Sequence, residues 1–132
     1  MRQFQATDGE PLRRLWQAAG FRSLGDDDAS LARFAERNPG MFFIAEDAGE
    51  VVGSTMAAWD SRRGWLYHVV VAPTYRRSGL ASHLVRLAED ALRTVGSPRA
   101  LVIVEAGNAD AFAFWQASGY EIRDTRHLGK GL

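Results

Sequence analysis

Residues 69–84 read VVVAPTYRRSGLASHL, and the order of the parts in this stretch decides the fold. Val69, Val70 and Val71 favour an extended, buried backbone, and Pro73 ends it because proline cannot supply a ladder donor. The chain must then turn between Arg76 and Ser82, where Gly79 permits a conformation that a Cβ would resist. A helix opens directly from that turn. The first turn of a helix carries N–H groups without intrahelical partners and a partial positive charge, which suits phosphate oxygens. Arg76 and Arg77 add formal charge at the same place.

Working outward, Leu80, Leu84, Leu87, Ala88, Ala91, Leu92 and Val95 recur at helical spacing, which predicts a helix from Gly79 to the neighbourhood of Gly96 with one face on a sheet. Residues 100–104 form an unbroken apolar run, the pattern of a strand covered on both faces. Such a strand is expected centrally, parallel to the one ending at Val71 because a crossover helix joins them. Asn108 introduces a short aromatic helix that stops at Gly119, and residues 120–123 and 127–128 read as two final short strands. On the N-terminal side, residues 41–46, 51–59 and 65–71 are three antiparallel strands, joined through Asp47-Ala48-Gly49 and residues 60–64. They are preceded by a short strand at 2–6 and two helices. The first helix carries Leu12, Leu15, Trp16 and Ala19 on one face and closes at Gly20, and the second turns Leu31, Phe34 and Ala35 inward. Asp8 reads as a cap for the first. Asp26, Asp27 and Asp28 read as capping and dipole compensation for the second, in preference to a trap for a cationic substrate.

The 132 residues make one domain, residues 1–132, with 46% hydrophobic and 24% charged residues, the balance of a folded globular chain. Sixteen basic residues offset sixteen acidic ones, so a broad basic field for nucleic acid is not expected. There is no cysteine, which removes disulfides, thiolate metal sites and a cysteine nucleophile and is compatible with a reducing compartment. The N-terminal residues lack the apolar core of a signal peptide and no run is long enough for a membrane span, so a cytoplasmic location is expected.

The turn lacks the Gly-Lys-Ser/Thr of a nucleoside-triphosphate loop and the spacing of a dinucleotide fingerprint. Its setting is more specific. A β-branched strand ends in Val-x-Pro, the Arg-x-x-Gly-x-Ala turn opens an amphipathic helix, and after the next strand come Asn108-x-x-Ala111-x-x-Phe114-Trp115 and Gly119-Tyr120. This combination resembles the GNAT superfamily of acyl-CoA-dependent N-acetyltransferases, in the form of its small stand-alone bacterial members, over nearly the whole chain. The resemblance implies an α/β fold with a mixed sheet, in the order β-α-α-β-β-β-α-β-α-β-β. It also implies acetyl-CoA as co-substrate, with no metal. By the resemblance, the backbone N–H groups of Arg77, Ser78, Gly79, Leu80, Ala81 and Ser82 hold the pyrophosphate, with Arg76 and Arg77 adding charge. Backbone groups of Val69 and Val71 pair with the pantetheine arm, with the N–H of Val69 or Val70 facing the oxyanion. Asn108 bonds the pantetheine amides, a role compatible with capping the helix that follows.

The implied reaction is direct attack of a primary amine on the thioester with both reactants bound, helped by a general base. Where many members carry an acidic tyrosine, this chain has Trp115, and where some place a glutamate base it has Ile103. An indole can donate a hydrogen bond but is no general acid. Candidates for the base are His68 and Tyr67, and Glu105 at the end of the next strand. Alternation places Tyr67 and Val69 on one face of the strand and His68 on the other, so a bulge is needed to re-aim either. Trp16, Phe21, Trp59, Trp65 and Tyr67 are candidates for an acceptor pocket. The acceptor is a small-molecule amine or a protein amino group, and edge strands leave a homodimer open. The substitutions at Trp115 and Ile103 motivate an alternative, a non-catalytic acyl-CoA-binding sensor on the same fold.

Overall fold

The structure, a computed structural model, describes residues 1–21 and 24–132 and divides into two units, Met1–Val102 and Ile103–Leu132. In the first unit a five-stranded sheet runs in the order β1 (Arg2–Gln3), β2 (Phe42–Asp47), β3 (Glu50–Trp59), β4 (Gly64–Val71) and β5 (Ala100–Leu101). β1 to β4 pair antiparallel. β5 joins β4 in parallel after the crossover helix α3 (Leu80–Thr94). Helices α1 (Gly9–Ala18) and α2 (Asp28–Arg37) separate β1 from β2 in the chain.

The β2–β3 turn rests on Ala48 and Gly49, with φ of 50° and 79°. Two positive φ angles in succession match the right-handed twist of the strands that such a turn connects. On one sheet face α3 buries Leu84, Val85, Ala88 and Leu92. Glycines make room for it. A Cβ at Gly53 would stand 3.1 Å from Leu84 Cδ1, and one at Gly64 would stand 2.9 Å from Leu92 Cδ1. The other face carries a core of Leu12 and Trp16 from α1, Leu31 from α2, and Phe42, Ile44, Met56 and Val70 from the sheet. Each fully buried side chain of this kind contributes about 1.5–3 kcal/mol.

Four expectations are corrected. The first strand stops at Gln3, because residues 6–8 form a 3-10 turn, and Asp8 does not cap α1 with its side chain. It is buried instead, paired with Arg2 at 2.7 Å. The run at 100–104 is not a central, doubly covered strand. It yields only the two residues of β5, at the edge of the sheet, and Ile103 is 53% exposed. An apolar run reports composition and carries no information on sheet position. In the second unit, helix α4 (Ala109–Ala117) is capped by Asn108, whose side-chain oxygen accepts the Ala111 N–H at 3.0 Å. Gly119, at φ 91°, follows its end. Residues 120–123 and 127–128 form no strand. Ile122 and Leu128 are exposed there, so little apolar burial offsets the entropy of ordering the backbone. No helix among the described residues is long and apolar enough to cross a membrane.

Candidate active site

Beyond β4, Pro73–Tyr75 form a 3-10 turn, and residues 76–79 lead into α3. Arg77 and Gly79 have φ of 62° and 84°, and Ser78 between them is not left-handed. Alternation of this kind turns successive N–H groups into one concavity, which suits an anion. Among the described residues, the N–H groups of Arg77, Ser78, Gly79, Ala81 and Ser82 have no hydrogen-bond partner. The Leu80 N–H donates to Ser78 Oγ at 3.3 Å, and the Ser78 hydroxyl donates to the Tyr75 carbonyl. Regular helical bonding starts only with His83 N–H to the Gly79 carbonyl, at 3.0 Å. Arg76 and Arg77 are exposed, and among the described residues neither forms an ion pair. A Cβ at Gly79 would meet nothing within 4 Å, so the glycine serves the left-handed backbone and leaves the approach open.

β4 contains the bulge that strict alternation lacks. Ser54 faces Val70 and Met56 faces Tyr67, so His68 and Val69 together oppose Thr55. His68 takes φ of 48°. Alternation alone would send His68 to the face opposite Tyr67. The extra residue changes the phase, and both side chains line one cleft of about 900 Å³ with Met56, Trp59 and Trp65. Val70, after the bulge, reaches the core beside Trp16. β5 pairs with β4 only at Gly64 and Trp65. From Leu66 to Val71, the side of β4 away from β3 has no strand partner among the described residues.

The imidazole of His68 is held on several sides. The Trp16 ring lies 4.4 Å away and Phe21 meets it edge-on at 4.9 Å. Asp26 Oδ2 lies 3.0 Å from His68 Nε2. Trp16 Nε1 donates to Ser54 Oγ at 2.8 Å, and the Ser54 hydroxyl donates to the His68 carbonyl at 2.8 Å. The three consecutive aspartates therefore divide their work. Asp27 caps α2 by accepting the Ser30 N–H, Asp28 pairs with Arg13 at 2.7 Å, and Asp26 meets His68. The first two follow the capping and surface reading. Asp26 was not recognisable, because its partner is 42 residues distant and no local spacing connects them.

The other candidates fall out as follows. Burial first, then the charge of Asp60, pushes the Tyr67 phenol above its ordinary value, which leaves it a proton donor and a poor base. Trp16 is 1% exposed and belongs to the core, while it and Phe21 border a neighbouring cleft of about 520 Å³. His83, His127 and Glu105 are exposed. In the second unit Trp115 packs edge-on against Tyr120 at 4.8 Å.

A model of the acetyltransferase (GNAT) family matches residues 6–120. The chain belongs to the GNAT acetyltransferase family. An acetyltransferase of Yersinia enterocolitica is 32% identical across all of this chain and 94% of its own length. One from Sodalis glossinidius is 34% identical over the same shares. Among solved structures, Ard1 from Thermoplasma volcanium superposes with a TM-score of 0.81, at 23% identity, over 92% of this chain and 82% of its own. The aminoglycoside N-acetyltransferase AAC(6')-Iy in complex with CoA gives 0.78, at 19% identity, over 99% and 98%. The GNAT fold expected from the turn and its neighbours is thus the fold of this chain. As a GNAT member the protein is an acyl-CoA-dependent N-acetyltransferase, with acetyl-CoA as its acyl donor.

Proposed function

We infer that the protein transfers acetyl from acetyl-CoA to a primary amine by direct attack, with donor and acceptor bound together. The observation that carries this reading is the set of N–H groups at Arg77, Ser78, Gly79, Ala81 and Ser82 that have no partner among the described residues, beside two arginines that form no ion pair there. In the reading these groups hold the pyrophosphate. The pantetheine arm pairs with the open side of β4 through backbone groups of Val69 and Val71, and the N–H of Val69 or Val70 faces the oxyanion. Asn108 enters through the family resemblance. Its side-chain oxygen already accepts the Ala111 N–H, and its NH2 group is the donor for a pantetheine carbonyl.

His68 is the general base. The amine reaches the site largely as an ammonium, because a lysine-like amine has a pKa of about 10 and an α-amine one of about 8. His68 takes one proton, and the freed lone pair forms the N–C bond. The C–S bond then breaks, and the departing thiolate, with a parent pKa of about 8.5, takes the second proton from the nitrogen of the intermediate. No tyrosine acid is needed at Trp115. Amines that fit the cleft beside His68 are the acceptors: free amino acids, polyamines, aminoglycosides or peptide N termini. AAC(6')-Iy, an aminoglycoside N-acetyltransferase, supports including aminoglycosides.

Initial-rate kinetics with a panel of these amines test the reading. Intersecting double-reciprocal lines, with thiol release matching acetylated product, are expected. Parallel lines contradict direct attack. Acetyl-CoA binding without thiol release toward any amine supports the sensor alternative, which the absence of a family acid at Trp115 favours.

A further inference from the structure

The His68 ring has two nitrogens, and the protein engages one of them. Nε2 lies 3.0 Å from Asp26 Oδ2 and 3.1 Å from Oδ1. Among the described residues Nδ1 makes no hydrogen bond, and it is not among the side-chain atoms buried without a partner. A carboxylate only accepts, so in the neutral ring the nitrogen facing Asp26 carries the proton and Nδ1 keeps the lone pair. The tilted contact with Trp16 and the edge of Phe21 set the ring plane, and Ser54 holds the backbone of the bulge. Neither of these contacts selects a tautomer.

We propose that Asp26 is a positioning residue for acetyl transfer, holding His68 as the Nε2–H tautomer so that Nδ1 is the proton acceptor. The inference rests on reading His68 as the general base. Local architecture alone does not require Asp26. Asp27 already caps α2, and Arg13 already ties α1 to Asp28. Both Asp26 and His68 line the larger cleft. In the reaction the ammonium N–H proton moves to Nδ1, and the resulting imidazolium has its charge opposed by the Asp26 carboxylate at Nε2. The amine nitrogen bonds to the acetyl carbon, and the C–S bond breaks. Of the two protons left on the nitrogen, one passes to sulfur and the other stays on the amide. Residue His68 releases its proton to solvent.

Nitrogen-15 NMR of the full chain labelled at histidine reads the tautomer directly. Of three histidines, the His68 signals are those lost in His68→Gln. With the ring neutral, the parent protein is expected to show Nε2 protonated and Nδ1 bare, and Asp26→Ala a mixture of tautomers. Turnover is measured with acetyl-CoA and the primary amine most active in the panel. Asp26→Ala and Asp26→Asn are expected to lower kcat by about tenfold or more with the KM for acetyl-CoA unchanged, and Asp26→Glu to recover part of the loss. Asp26→Asn keeps the side-chain shape and serves if Asp26→Ala does not fold. An Nδ1–H tautomer in the parent protein overturns the proposal. So does full kcat in the folded Asp26 variants while His68→Ala is impaired, an outcome that leaves His68 as base. Full kcat in His68→Ala overturns the base and the positioning role together.

Discussion

The Ser54 hydroxyl donates to the carbonyl of His68 at 2.8 Å, and the same oxygen accepts the indole N–H of Trp16 at 2.8 Å. Ser54 is fully buried, so one hydroxyl satisfies a core tryptophan and the backbone of the β4 bulge together. Ser54→Ala strands both partners in a place that water does not reach. It is expected to cost about 2 kcal/mol, measured by denaturant unfolding, and to lower kcat through the position of His68. Parent stability in Ser54→Ala would show that the bulge is held by other contacts.

The arginines before α3 are expected to act through charge. Arg76→Ala combined with Arg77→Ala should weaken acetyl-CoA binding at low salt and do so less as salt rises, because exposed charges are screened over about 10 Å at 0.1 M. Calorimetric titrations at two ionic strengths decide it. A deficit that does not change with salt would mean that the arginines shape the loop and leave the phosphates to the backbone.

Arg2 and Asp8 predict a pH dependence of stability. The Arg2 guanidinium donates to both oxygens of Asp8, at 2.7 and 2.8 Å, and the Gln5 N–H donates at 2.7 Å. The Arg2 hydrogen bonds, against the opposing effect of burial, hold the Asp8 carboxyl below its ordinary value. Since the unfolded value is about 3.9, the contribution is complete above it and is lost as the pH falls through the lower folded value. Asp8→Asn should therefore lie about 2 kcal/mol below the parent at neutral pH, with the gap narrowing in acid. Thermal unfolding across that range is the measurement. A gap independent of pH would contradict the assignment.

Tyr67 is expected to donate and not to accept a proton. Burial and Asp60 both raise its phenol, so it stays protonated around neutral pH. Tyr67→Phe should leave the shape of the pH profile of kcat/KM unchanged in that range, whatever it does to the KM for the amine. A displaced limb in that range would make Tyr67 a titrating participant.

The parts of this fold that were readable in the sequence are those where short-range chemistry decides the outcome. Pro73 and Gly79 bracket a turn whose backbone has few alternatives, the spacing of Leu84, Ala88 and Leu92 commits α3 to the sheet, and Asn108 caps α4. The family match confirms the reading built on those elements. What was not readable depends on pairing at a distance. The run from 100 to 104 does not say that only Ala100 and Leu101 find a neighbouring strand. Nothing near Asp26 points to His68, and period-two alternation cannot anticipate the extra residue that brings His68 and Tyr67 into one cleft.

The central claim is that the turn from Arg76 to Ser82 holds the phosphates of acetyl-CoA, and calorimetric titration of acetyl-CoA into the parent protein and Gly79→Asp tests it most directly. Gly79 sits at φ 84° with open space around it, and aspartate there adds backbone strain and a negative charge beside the unpartnered N–H groups. The account predicts saturable binding to the parent and an affinity at least about tenfold weaker in the folded variant, or about 1.4 kcal/mol. Equal affinity in the two proteins would place the phosphates elsewhere and contradict it.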